Sequence, residues 1–173
     1  MQIKIILIGI LVSCSYLIGE YISKVYLKRH IQINEIIKIL SIIRMDLSFG
    51  MDTLDEVFRK IGDKKDFTIS RFFQLISNEL RKNTFKTLDE VINENIEFLT
   101  KDNYLTKKDS DELKSVLVTL GKSDIDSQQK IIDLSIENFK GSGLESKEEI
   151  IKKGEVYKKL SFLIGIIISI LIL

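Results

Sequence analysis

The residue types that usually carry chemistry are scarce in this chain of 173 residues. It has one cysteine, Cys14, and one histidine, His30, which excludes a disulfide framework and argues against a Cys/His metal site. His30 stands beside Lys28, Arg29 and Gln32 and is interpreted as an exposed helix residue. The sequence offers no nucleophile–base pair and no metal-binding pattern, so we predict neither an enzyme nor a bound cofactor.

Cys14 does suggest one modification. The run Leu11-Val12-Ser13-Cys14 fits a bacterial lipobox, in which a signal peptide is cleaved and the cysteine is acylated. The chain stays hydrophobic through Ile18, however, whereas a mature lipoprotein usually begins with polar residues. We therefore interpret Cys14 as a small apolar residue of a spanning helix. An exported, lipid-modified helical binding protein acylated at Cys14 is the alternative.

Two other patterns have structural explanations. Gly141 and Gly143 form an isolated pair with no strand before them, which is not a phosphate-binding loop but is a candidate break in a helix. Asp109, Asp111 and Glu112 cluster at a predicted helix start, where the helix dipole favours anions.

The charges indicate how the chain is organised. Lys plus Arg number 26 against 25 for Asp plus Glu, a balance that argues against nucleic acid as a partner. Proline is absent, which suits long continuous helices. No charged residue lies between Ile5 and Gly19 or between Leu160 and Leu173. A polar middle therefore lies between two hydrophobic ends.

Each hydrophobic end is long enough for a membrane anchor once its flanks are included. A helix over the first uncharged stretch reaches about 22 Å, and snorkelling of Lys4 and Glu20 extends it toward the roughly 30 Å hydrocarbon core. The predicted domains are a transmembrane anchor at 1–22, a helical bundle at 23–155 and a second transmembrane anchor at 156–173.

Basic residues flank both anchors on the side of the middle segment. Because positive charge is retained inside, the bundle is predicted to be cytosolic and both termini external. Only Lys4 and the amino terminus lie on the other side. The inner basic residues are Lys24, Lys28, Arg29, Lys152, Lys153, Lys158 and Lys159.

Small residues recur at four-residue spacing in both anchors, which lines one helix face and lets a neighbouring backbone approach. The same spacing joins Ser15 to Gly19. The predicted transmembrane packing residues are Gly9, Ser13, Ser161, Gly165 and Ser169.

The middle segment has helical apolar spacing throughout and predicts an all-α bundle of about six helices with short links. Gly50 and Gly121 are expected to end two of these helices, and Ser146 to cap the last one. Capping boxes are predicted at Thr53-x-x-Glu56 and Thr87-x-x-Glu90. The predicted inward residues are Val25, Ile33, Ile36, Ile37, Leu40, Ile43, Leu47, Ile69, Phe72, Phe73, Ile76, Leu80, Val91, Ile92, Ile96, Leu99, Leu113, Val116, Leu117, Leu120, Ile131, Ile132, Ile136 and Phe139.

Three segments resemble the stage III sporulation protein AB family of endospore-forming Firmicutes. They are Ile43–Leu54 (IRMDLSFGMDTL), Leu120–Ile131 (LGKSDIDSQQKI) and Lys158–Gly165 (KKLSFLIG) with the apolar tail that follows. The likeness covers the chain from end to end, and the second segment is its most specific part.

This resemblance implies a place and partners. The soluble part of the family is similar to the cytoplasmic helical domains of the F-type platform protein of type II secretion machines. It implies a non-enzymatic platform on the mother-cell side of the engulfing membrane, in the channel between mother cell and forespore. The implied partners are a secretion-type ATPase (sporulation protein AA), other sporulation channel membrane proteins and the lipid bilayer.

The loop between Gly121 and Gln129 is the predicted docking surface, since it is polar and carries the most specific segment. Its candidate partner-binding residues are Asp124, Gln128 and Gln129. The alternative is a simple helix–helix turn, with Gly121 ending one helix and Asp124 capping the next.

Overall fold

The computed structural model describes residues 2–49, 52–82, 86–120, 122 and 124–172. Within these ranges the chain is helical and contains no strand, which confirms the all-α prediction. The helices are α1 (Gln2–Phe49), α2 (Leu54–Gly62), α3 (Ser70–Arg81), α4 (Leu88–Asn95), α5 (Phe98–Lys101), α6 (Lys107–Thr119), α7 (Ile125–Glu149) and α8 (Glu155–Ile172), with a π-helical turn at Ile150–Gly154.

The chain divides into two compact units. The terminal unit comprises residues 1–30 and 144–173, and the central unit comprises residues 31–143. The predicted membrane boundaries at residues 22 and 156 both fall inside the terminal unit and stay a prediction.

Side-chain caps begin three helices of the central unit where the sequence places helix starts. Thr53 N donates to Glu56 Oε2 at 3.1 Å, and Thr87 N donates to Glu90 Oε2 at 2.8 Å, so both predicted capping boxes form. Asp109 makes the same reciprocal pair with Thr106 at the start of α6 and is buried. These bonds satisfy amides that a helix start leaves without partners.

The core of the central unit takes apolar side chains from each of the helices α1 to α7. Phe73 lies at its aromatic centre, with ring centroids 5.2 Å from Phe72 and 5.8 Å from Phe58. Most of the predicted inward residues are buried, whereas the core residues of α2 were not predicted. Those that are only partly buried and pack against the edge of the core are Ile37, Leu47, Leu80, Ile96 and Ile136. The buried residues include Ile36, Leu40, Phe58, Ile61, Phe72, Ile76, Val91, Ile92, Leu99, Leu113, Leu117, Ile132 and Phe139.

A buried amide holds two loops of the central unit against α1. Gln32 is 2% exposed. Its Nε2 donates to Thr68 Oγ1 at 3.1 Å and to Asn103 Oδ1 at 2.9 Å, and its Oε1 accepts from Tyr104 N at 2.9 Å. A buried amide with this many partners orients both loops, because each lost bond would leave a polar group unsatisfied.

Three expectations about helix boundaries are wrong. Gly141 and Gly143 do not break a helix, since α7 runs through both. Ser146 lies inside α7 and therefore does not cap a last helix. The predicted fourth helix is interrupted by a turn at Ile96 and continues as α5. The expected helix ends at Gly50 and Gly121 lie outside the described residues.

Among the described helices, α1 is the one that is long and apolar enough to cross a bilayer by length and composition. Its apolar side chains are largely uncovered, as Ile6 (62% exposed), Leu17 (61%) and Ile18 (58%) illustrate. Exposed apolar surface on this scale is unusual for a protein in water. The helix α8 is as apolar from Leu160 onward but carries Glu155, Lys158 and Lys159 in its first five residues.

Candidate functional site

Two glycines bring α1 and α8 into close contact in the terminal unit. A Cβ atom added to Gly19 would lie 2.9 Å from the Cβ of Ser161, and one added to Gly165 would lie 2.8 Å from the Cβ of Ser15. Residue numbers rise along one helix as they fall along the other, so the two helices are antiparallel. The contact requires glycine at both positions, because a larger residue would push the backbones apart.

The predicted packing residues divide between this contact and the open surface. Ser161 and Gly165 lie in the contact, and Ser169 is buried with its hydroxyl donating to Gly165 O at 2.7 Å. A Cβ atom added to Gly9 would have open space around it to 4 Å among the described residues. Exposed Ser13 donates to Gly9 O at 2.8 Å within its own helix.

The α1 side of the contact is formed instead by Ser15, Gly19 and Ser23. Ser23 faces Gly154 of the π-helical turn, where an added Cβ would lie 3.2 Å from the serine Oγ. The four-residue spacing in the sequence also linked Ser15 to Gly19. Gly9 and Ser13 have the same spacing but lie on a different face of α1. The spacing alone therefore could not show which of the two pairs contacts α8.

A chain of ion pairs lies in the terminal unit beyond the hydrophobic stretches. Arg29 is 7% exposed, and its Nη1 lies 2.6 Å from Glu149 Oε2. The other carboxylate oxygen of Glu149 lies 2.6 Å from Lys153 Nζ. The pKa of Glu149 is lowered, first by the hydrogen bond from Lys153 and then by the charge of Arg29, against an opposing effect of burial. A nearly buried guanidinium needs such an anion to offset its loss of water.

His30 and Ser146 belong to the same region, which corrects two interpretations made from sequence. His30 is half-buried rather than exposed, and its Nδ1 lies 2.8 Å from Ser146 Oγ. Nothing in local spacing signals this pair, since the two residues are separated by more than a hundred positions and meet only when α1 and α7 pack.

The predicted docking block lies at the start of α7. Asp124 caps this helix, with Oδ1 accepting from Ser127 N at 2.9 Å and Oδ2 from Ser127 Oγ at 2.7 Å. The same two bonds lower the pKa of Asp124. Asp124 therefore caps the helix as predicted. The predicted helix end at Gly121 lies outside the described residues.

The two glutamines of the block have different environments. Gln128 is 6% exposed, whereas Gln129 is half-buried and donates from Nε2 to Ser48 Oγ at 3.0 Å. Gln128 thus offers little surface to a partner, and Asp124 and Gln129 are the accessible members. Over the described part of the chain, no three His, Cys, Asp or Glu side chains converge as a metal site.

The fold and the helix contact define a class: an all-helical bundle protein with a long apolar helix suited to a membrane. The family model of stage III sporulation protein AB matches residues 4–173, and the chain belongs to that family. It is similar to "Stage III sporulation protein AB" of Bacillus subtilis (strain 168), with 26% identity over 157 residues that cover 90% of each chain. No solved structure matches the chain. A role in sporulation follows from the family, which is not a known enzyme family.

The glycine contact predicts an intramolecular disulfide. With Cys14 changed to Ser, cysteines introduced by Gly19→Cys and Ser161→Cys should cross-link under mild oxidation in membranes. Their Cβ atoms would start 2.9 Å apart, so a slight separation of the two helices brings them to the roughly 3.8 Å of disulfides. Adding Gly165→Leu should at least halve the yield, measured as a mobility shift on a denaturing gel. The control pair Gly9→Cys with Ser161→Cys should stay reduced. A cross-linked dimer in place of a cross-linked monomer would contradict this helix pair.

The Arg29–Glu149 pair predicts unequal effects at two neighbouring glutamates. Glu149→Gln should lower the free energy of unfolding by about 2 kcal/mol, because the nearly buried Arg29 would lose the charge of a carboxylate at 2.6 Å. Glu148→Gln removes an equal charge from the exposed pair with Lys152 and should cost less than about 0.5 kcal/mol. Denaturant unfolding of the full chain in micelles, followed by circular dichroism, measures both.

The same pair has a pH signature. Because the pKa of Glu149 is lower in the folded state, its stabilisation is complete above the unfolded pKa and is lost as the pH falls through the folded value. The Glu149→Gln protein should lack this part of the acid destabilisation. Equal losses of stability from Glu149→Gln and Glu148→Gln would refute the assignment.

Proposed function

We propose that this protein is a non-enzymatic membrane platform in the channel between mother cell and forespore, where it docks the secretion-type ATPase, sporulation protein AA. The antiparallel contact of α1 and α8 is the observation that carries the proposal. In a bilayer, an antiparallel helix pair brings the chain in and out on one side, which anchors the intervening segment at two points.

Exposed apolar surface supports the second anchor. On α8, Ile167 is 58% exposed, Ile170 70% and Leu171 82%. These largely uncovered side chains would be solvated by lipid. A slightly thinned bilayer accommodates the short span.

The basic residues beside both helices support the side on which the bundle lies. They follow the first apolar stretch and precede the second, so the positive-inside rule favours the mother-cell cytosol for the segment between them. The docking role draws on the family resemblance and on the polar block at the start of α7. The channel's other membrane proteins would then contact the α1–α8 pair or the remaining faces of the bundle.

Cysteine labelling tests the side of the membrane. In a Cys14→Ser background, Lys65→Cys and Lys101→Cys introduce reporters at two exposed positions. An impermeant maleimide should label neither in intact cells and both after permeabilisation. Labelling of both in intact cells would exclude the platform and favour the exported lipoprotein, in which Cys14 carries an acyl group that mass spectrometry of the amino terminus detects.

Binding to the ATPase tests the docking role. Full-length protein in nanodiscs should retain purified sporulation protein AA, and Gln129→Arg should weaken the interaction at least fivefold with an unchanged melting temperature. The substitution is made at Gln129 because Gln128 is buried, and a charged residue there would destabilise the fold.

The matched control is Asn138→Arg, which adds the same charge to an exposed position further along α7. Its affinity for the ATPase should equal that of the unmodified protein. If the two arginine variants bind alike, the block at the start of α7 is only a helix turn. If the unmodified protein does not bind the ATPase at all, the platform role itself fails.

A further inference from the structure

A groove in the terminal unit lies between α1 and the start of α8. Its volume is about 470 Å³, and it is lined by Tyr16, Glu155, Lys158, Lys159 and Phe162. The lining combines three charged side chains with two aromatic rings, which matches an amphiphile better than a water-soluble solute.

The two lysines of the groove keep hydrogen-bond donors available. Lys158 Nζ lies 5.4 Å from the ring centroid of Tyr16, and over the described residues it forms no ion pair with a carboxylate. Lys159 is only loosely paired, at 3.9 Å from Glu155, and its side chain is 78% exposed. On α1, Glu20 pairs with Lys24 at 2.9 Å.

The lysines that come a turn and a half earlier differ in this respect. Lys152 and Lys153 lie 2.7 and 2.6 Å from Glu148 and Glu149, respectively. Of these four lysines, Lys158 and Lys159 are therefore the two without a close carboxylate partner, although the charge of Lys158 also acts on Glu20. An anion would find its complement there and not at the earlier pair.

The position along the chain identifies the kind of anion. Lys158 and Lys159 are the last charged residues before the uncharged stretch that begins at Leu160. Lysine and tyrosine at such a boundary lie at the depth of lipid headgroups, and basic pockets between membrane helices bind anionic headgroups there. Phe162 continues the groove in the direction that acyl chains take.

We propose that this groove binds an anionic phospholipid, with its phosphate held by Lys158 and Lys159 and an acyl chain lying along Phe162. The inference rests on the membrane placement of α1 and α8 that the proposed function assumes. It does not depend on the ATPase.

Brominated lipids test the groove directly. The chain has no tryptophan, so Tyr16→Trp introduces a single fluorescent reporter in the groove. Full-length protein is reconstituted in phosphatidylcholine with increasing brominated phosphatidylglycerol, or with brominated phosphatidylcholine as reference. Quenching should give roughly fivefold tighter association of phosphatidylglycerol than of phosphatidylcholine at this reporter.

Three controls locate the preference. Tyr21→Trp moves the reporter to a different face of α1, where the two lipids should quench equally. Lys158→Gln with Lys159→Gln should abolish the preference at the groove reporter. Lys152→Gln with Lys153→Gln removes the same charge outside the groove and should leave the preference intact.

The outcomes distinguish a specific lipid site in the groove from general attraction of anionic lipid to a basic surface. Equal quenching by both lipids at the groove reporter overturns the proposal, as does a preference that survives loss of Lys158 and Lys159. A similar preference at the Tyr21→Trp reporter shows a diffuse charge effect and overturns the groove as a site. Absence of quenching by either lipid overturns the membrane placement as well, which separates failure of the proposed function from failure of this inference.

Discussion

Gly19 and Gly165 set the distance at which α1 and α8 pack in the terminal unit. Lipid tails are as apolar as leucine, so helices in a bilayer gain little from hiding apolar side chains against each other. They gain from backbone contact instead, and glycine opposite serine permits it here on both sides of the pair. If both helices span a membrane as proposed, the antiparallel direction of this contact lets the chain enter and leave on one side, and the proposed platform depends on that direction.

The same contact brings charged residues together where the apolar stretches end. Arg29 is buried beside Glu149, and Lys153 shares the carboxylate. A buried cation is costly when alone and tolerable when paired, so this cluster specifies which residues of α1 and α7 meet. The π-helical turn that follows brings Gly154 against Ser23 and leads directly into α8. Such turns insert a residue into a helix and shift the face that follows, which is one way to align α8 with α1.

The central unit depends on different physics. Its core is ordinary apolar packing around Phe58, Phe72 and Phe73, and its loops are held by the buried amide of Gln32. At the start of α7, Asp124 uses its acceptors on Ser127, and Gln128 turns inward. The part of this block that a partner can reach is consequently smaller than the polar sequence suggests.

Local patterns in the sequence were sufficient for the helices, both predicted capping boxes and most of the core. Periodicity and capping act within about one turn, so the residues that determine them are neighbours in the chain. Ile96 is one of several predicted inward residues that remain at the edge of the core, and the helix around it is interrupted there. The sequence also contained the small-residue spacing of both apolar ends.

Tertiary structure decided which of these patterns are used. Gly9–Ser13 and Ser15–Gly19 have the same four-residue spacing, but only Ser15 and Gly19 pack against α8. Gly141 and Gly143 remain helical because α7 continues around them, although glycine alone weakens a helix. The hydrogen bond between His30 and Ser146, the ion pair between Arg29 and Glu149 and the burial of Gln128 each depend on contact between residues distant in the chain. Such contacts leave no periodic trace in either segment, because each partner needs the other only after the helices have packed.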